Sequence, residues 1–111
     1  MPLDELRRRM ATGEWMAVVG LFDPLTASQA SRVAEIGNGG GELAAIVLDE
    51  PDTLLPVEAR AALVAGLRPV RLVSIARRNE WRPAVGQATV FEDSTHSDEF
   101  VKFVFERQNR G

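Results

Sequence analysis

The chain has 111 residues, 45% of them apolar, and a net charge of −3 from 13 basic and 16 acidic side chains. That length fits one domain and not two, and that apolar content excludes a disordered chain. The acidic balance argues against general nucleic-acid binding, and the absence of cysteine excludes disulfides and thiolate metal sites.

Leu3, Leu6 and Met10 recur at helical spacing with Arg7, Arg8 and Arg9 between them, which predicts a short amphipathic helix ending at Gly13. No apolar core follows these basic residues, so the segment is no secretory signal, and no apolar run approaches a membrane span. The expectation is a cytoplasmic protein that touches neither membrane nor nucleic acid. Trp15–Gly20 is nearly all apolar, as suits a strand buried on both faces of a parallel sheet. A turn follows over Gly20–Leu25, then a helix over Thr26–Ile36 with Ala27, Ala30, Val33 and Ala34 on one face. The run Gly37-Asn38-Gly39-Gly40-Gly41 stops that helix. Leu43–Leu48 reads as a second buried strand, closed by Asp49-Glu50-Pro51. Pro56 fits the first position of a helix reaching about Leu67, and Val70–Ile75 is a third strand. Arg77–Gln87 reads as a polar loop and Ala88–Phe91 as a fourth strand. In the closing segment Phe100, Phe103 and Val104 share one helical face, after the helix-start residues Ser97-Asp98-Glu99. The same segment also has high strand propensity; the helix is the favoured reading.

The order is a leading helix in 1–13, a β-α-β-α-β core in 14–75 and a short C-terminal part in 76–111, with no repeat or linker. Such alternation implies parallel strands with right-handed crossovers. The strand Met16–Val19 is expected at the centre, flanked by Leu43–Leu48 and then Val70–Ile75, with helices on both faces.

The turn after the first strand reads Gly20-Leu21-Phe22-Asp23-Pro24-Leu25-Thr26-Ala27-Ser28-Gln29. It resembles the G-x-F-D-x-x-H-x-G-H turn of the cytidylyltransferase-like family, in particular the nucleotidyltransferase domains of ADP-heptose synthases. Gly20, Phe22 and Asp23 match; Thr26 and Gln29 stand at the two histidine positions, and Ser28 at the glycine. A second block, Leu54–Leu63 followed by Leu67-Arg68-Pro69-Val70, looks like the family's segment around a helix arginine, at which Arg60 stands. The leading helix also has a counterpart there. The resemblance spans Leu3 to Ile75. The middle of the region that follows looks deleted, and Ser94-Thr95 stands where the family has a Ser-Thr motif before its last helix. The resemblance implies a three-layer Rossmann-like α/β fold with a parallel sheet, of the HUP or adenine nucleotide alpha hydrolase-like class, shortened at its C-terminal end. It implies nucleotide or phosphate contacts at Gly20, Leu21, Phe22, Asp23, Thr26, Gln29, Glu50, Arg60, Ser94 and Thr95, and magnesium with the nucleotide in an active member. It also makes a homodimer plausible, and the apolar excess of the last segment adds Phe100, Phe103 and Phe105 as its expected interface.

The family's reaction lets a substrate phosphate attack a nucleoside triphosphate while pyrophosphate leaves. The protein positions phosphates and stabilises the charge that develops on them. Thr26 and Gln29 can each donate a hydrogen bond, but neither can become cationic. Losing one aimed donor costs about 2.7–4 kcal/mol of transition-state stabilisation, so losing both lowers the rate by several orders of magnitude. Lys102 is the only lysine, which leaves none for the phosphate-facing loops. Thr26-x-x-Gln29 is itself a capping box, and that is the favoured reading. No catalytic residue is therefore expected.

Other features have plainer readings. Glu50 reads as a solvated strand-end carboxylate in preference to a ribose or metal contact. Arg60 reads equally as a phosphate ligand or as a salt-bridge partner on its helix. Gly37-x-Gly39-x-Gly41 follows a helix and precedes a strand, the reverse of a dinucleotide fingerprint. Arg77–Arg82, with Trp81, has the composition of a base-stacking segment but fits an ordinary surface loop. His96, the single histidine, lies among carboxylates and lacks the second imidazole a transition-metal site wants. Two functions remain open: a non-catalytic relative that binds a nucleotide or phosphate or serves as a dimeric interaction module, and an adenylyl- or cytidylyltransferase acting on a small phosphorylated substrate such as a sugar phosphate. A response-regulator domain is disfavoured, because no aspartate cluster at strand ends is followed by a lysine.

Overall fold

A computed structural model describes residues 1–93. Its elements are α1 (Leu3–Arg9), β1 (Trp15–Gly20), α2 (Ala27–Gly37), β2 (Glu42–Leu48), α3 (Val57–Ala65), β3 (Val70–Ala76), α4 (Arg82–Val85) and β4 (Thr89–Asp93). The four strands form one sheet in the order β3-β2-β1-β4, and every neighbouring pair is parallel. The expected arrangement of the first three strands is therefore the observed one, and the fold is a Rossmann-like α/β sandwich.

Burial explains the strand sequences. β1 and β2 are interior strands with helices over both faces, so Ala17–Gly20 and Leu43–Leu48 are buried without interruption. β3 is an edge strand and alternates, with Leu72, Ser74 and Ala76 buried between more exposed neighbours. On one face of the sheet Leu6 of α1, Met10 just after it, and Ala84 and Val85 of α4 pack with Ala17, Val19, Ile46 and Leu72. On the other, Val33 of α2 and Val64 of α3 pack with Val18, Ala45, Val47 and the loop residue Phe22. Burying such aliphatic side chains contributes about 1.5–3 kcal/mol each, before chain entropy is set against it.

The stretch 77–87 corrects the sequence reading. It is not wholly a polar loop. Trp81, 3% exposed, lies in the α1-side core, and α4 follows it with Pro83 in its first turn, where a missing N–H costs nothing. The spacing Trp81, Ala84, Val85 is that of one helical face, a signal masked by the arginines around it. β4 also extends past Phe91, because Glu92 and Asp93 pair with Val19 and Gly20. The expectations for Ser94, Thr95, His96, Phe100, Lys102, Phe103 and Phe105 lie outside the described residues.

From β3 the chain crosses to the far side of β1 before it forms β4. The order of strands thus reverses between β1 and β4. In open parallel sheets, the crevice at the strands' C-terminal ends beside such a reversal is where ligands bind.

Candidate functional site

The loop after β1 begins at this reversal. A Cβ on Gly20 would stand 2.5 Å from the carbonyl oxygen of Asp93, so only glycine lets the ends of β1 and β4 close up. Phe22 has φ 51 yet is fully buried, so its ring holds the backbone in a conformation that costs roughly 1–3 kcal/mol elsewhere. The Asp23–Pro24 peptide that follows is cis.

Two knots then tie this loop to the loop after β2. The buried carboxylate of Asp23 accepts the backbone N–H of Leu54 at 2.6 Å and that of Leu55 at 2.8 Å. Arg60, 1% exposed on α3, donates from Nε to the carbonyl of Leu55 at 3.0 Å. Its Nη1 donates to the carbonyls of Leu21 at 2.7 Å and Leu48 at 2.9 Å. Leu55 belongs to both knots, through its N–H in one and its carbonyl in the other. Among the described residues Arg60 thus pairs with main-chain carbonyls, and neither of its two sequence readings describes what it holds.

The start of α2 is closed in the same manner. The Thr26 Oγ1 accepts the N–H of Gln29 at 3.2 Å, and the Gln29 Oε1 accepts the N–H of Thr26 at 3.0 Å. This is the expected capping box. A helix leaves four amides at its start without intrahelical partners, and the box takes two of them. Ala27 and Ser28 carry the other two; the Ser28 Oγ lies 3.4 Å from the Thr26 Oγ1.

Gly20, Leu21, Phe22, Asp23, Thr26, Gln29, Glu50 and Arg60 therefore all gather at the C-terminal edge of the sheet. The structure also adds a pair that the sequence reading missed. Arg32 of α2 donates from Nη1 to the Asp93 Oδ2 at 2.9 Å, with the carboxylate buried. The two lie 61 positions apart, so no local spacing announces them. Glu50 accepts Arg78 through both carboxylate oxygens, at 2.7 and 3.0 Å, on the exposed rim. Asp49, Glu50 and Asp52 follow β2, and Asp93 ends β4. Of the arginines at this edge, Arg32 faces Asp93, Arg60 faces main-chain carbonyls and Arg78 faces Glu50.

The remaining candidates separate from this edge. The Trp81 ring is buried, with the Arg82 guanidinium carbon 4.6 Å from its centroid, so that face does not present itself to a base. The glycine run lies at the opposite, N-terminal edge. There Gly39, Gly40 and Gly41 line an open cleft of about 750 Å³ together with Glu14, Trp15 and Gln87. Gly40 and Gly41 have positive φ, which accounts for glycine at both. Among the described residues no group of three or more histidine, aspartate or glutamate side chains could hold a metal ion, and no helix is long and apolar enough to cross a membrane.

No family model, curated protein or solved structure matches the chain.

Proposed function

We propose that this chain is a non-catalytic nucleotidyltransferase-like domain of the HUP class, whose ligand edge serves as framework and which acts by binding and not by group transfer. One observation carries the reading: the polar groups that line the edge beside the reversal are engaged with one another. Thr26 and Gln29 cap each other, Asp23 holds two amides, and Arg60 holds three carbonyls. A transferase needs donors aimed at the phosphates before the substrate arrives. Here an incoming phosphate finds the amides of Ala27 and Ser28 and a helix dipole worth about 0.3–1 kcal/mol per exposed charge, against nearby carboxylates. Contact with a nucleotide or phosphate is accordingly weak, and the domain's main partner is another macromolecular surface.

Incubation with ATP or CTP, magnesium and a panel of sugar phosphates and phospho-alcohols should release no pyrophosphate. In the same protein, millimolar ATP, CTP or phosphate should move only the amide signals of Ala27 and Ser28, without saturation. Turnover that Gln29→Ala abolishes would overturn the reading in favour of an active adenylyl- or cytidylyltransferase. Saturable binding at micromolar nucleotide would overturn the weak-contact part alone.

A further inference from the structure

The N-terminal edge of the sheet is shaped by glycines. Among the described residues four glycines have positive φ: Gly13, Gly40, Gly41 and Gly86. They come from three separate connections, α1 to β1, α2 to β2 and α4 to β4, and all four line the one cleft of about 750 Å³. Each turns the chain where a side chain would be strained, so main chain forms much of the cleft's wall. Gly41 also lets two of these connections meet. A Cβ there would stand 3.0 Å from the carbonyl oxygen of Glu14, which accepts the N–H of Glu42 at 2.9 Å. The cleft has the size of a small-molecule site, for which about 300–1,000 Å³ is usual.

We propose that this cleft binds a small aromatic amine in its protonated form, with the ring on Trp15 and the ammonium at Glu14. Three things select this ligand. Trp15 is the largest side chain of the lining and is only half-buried. Its Nε1 donates to the carbonyl of Thr12 at 2.8 Å, which holds the indole in one orientation before a ligand arrives, so a second ring stacks at little cost in order. Met10 and Met16 add thioethers, soft surfaces that adapt to an aromatic edge. Glu14 is the one charged side chain among the described lining residues, and it is exposed, with no ion-pair partner among them. A cation is therefore drawn both to that carboxylate and to the indole face, whereas an anion meets repulsion that no lining arginine or lysine offsets. This site lies apart from the C-terminal edge and does not depend on the function proposed from it.

Three probes of similar size separate charge from shape: 2-phenylethylammonium, 2-phenylethanol and phenylacetate. Each is titrated into the full chain at constant ionic strength, while NMR follows the Trp15 indole N–H and the amides of Gly40, Gly41 and Gly86. The ammonium should shift these signals to saturation and bind about tenfold more tightly than the alcohol, the combined effect of a cation–π contact and an exposed ion pair. Phenylacetate should leave them in place, and the amides of Gly20–Gln29 should not respond to any of the three. Glu14 is exposed, so Glu14→Gln leaves the core untouched and should remove most of the preference for the ammonium. Equal binding of ammonium and alcohol, tighter binding of phenylacetate, or shifts that never saturate would overturn the proposal. So would a preference that survives Glu14→Gln unchanged, since the charge would then be read elsewhere.

Discussion

Arg60 carries a charge in a place with no carboxylate within ion-pairing distance among the described residues, and the fold tolerates it because three carbonyls converge on the guanidinium. Those carbonyls lie at three separate points: Leu21 after β1, Leu48 at the end of β2, and Leu55 in the loop before α3. A planar fork can serve three acceptors at once, which an ammonium on a flexible stem cannot do as well. Arg60→Met keeps most of the volume and removes every donor. It should cost about 3 kcal/mol or more, since leaving one buried acceptor unpaired costs about 1–3 kcal/mol. Urea unfolding would measure this; a loss below about 1 kcal/mol would show that water replaces the guanidinium. Arg60→Lys should recover only part of the loss. The exposed pair of Arg78 and Glu50, by contrast, should be worth no more than about 1 kcal/mol despite its bidentate geometry.

At the scale of the element, the Thr26 and Gln29 box shows how two side chains close the start of a helix. The first turn of α2 needs acceptors for its orphan amides, and the two side chains supply them reciprocally. Thr26→Ala should destabilise the protein by roughly 0.5–2 kcal/mol, and Gln29→Ala by a similar or smaller amount. The double variant should lose less than the sum, because each substitution already breaks the box. Thermal or chemical melting of the four proteins decides this, and strict additivity would mean that the two residues act separately. The strand pair β1–β4 gives a second case. Gly20→Ala drives a Cβ against the Asp93 carbonyl, a backbone atom that cannot rotate away, so the strands must part. The expected loss is about 1–3 kcal/mol, concentrated in faster hydrogen exchange of Val90–Asp93. Uniform acceleration over all four strands would instead mean that the strain spreads through the sheet.

Over the whole molecule, what the sequence made legible follows burial. The interior strands β1 and β2 read as unbroken apolar runs because both their faces are covered, and their order beside β3 followed from the alternation with helices. Trp81 and α4 escaped notice because four residues are too few to establish a period and arginines flank them. The cap was legible because its two partners are three residues apart. The knots of Asp23, Arg60 and Arg32 were not, since their partners lie 31, 39 and 61 positions away and two of the three bind main chain, which has no sequence signature. Resemblance at the turn pointed to the C-terminal edge of the sheet; it carried no information on whether the groups gathered there face a ligand or one another.

The late arrival of β4 beside β1 has a kinetic side. β1, β2 and β3 meet their neighbours through crossovers of ordinary length, but β1 acquires its second neighbour only when residues 89–93 return from the far side of the sheet. Closing so long a loop is entropically slower than closing the local crossovers, and parallel pairing offers no hairpin to start from. During synthesis β1 therefore gains β2 on one flank while its other flank stays open until β4 is made. Through that interval the Gly20 edge, with its bare amides and carbonyls, is the place where a growing chain of this kind is most exposed to pairing with the wrong strand, and where a chaperone would find it.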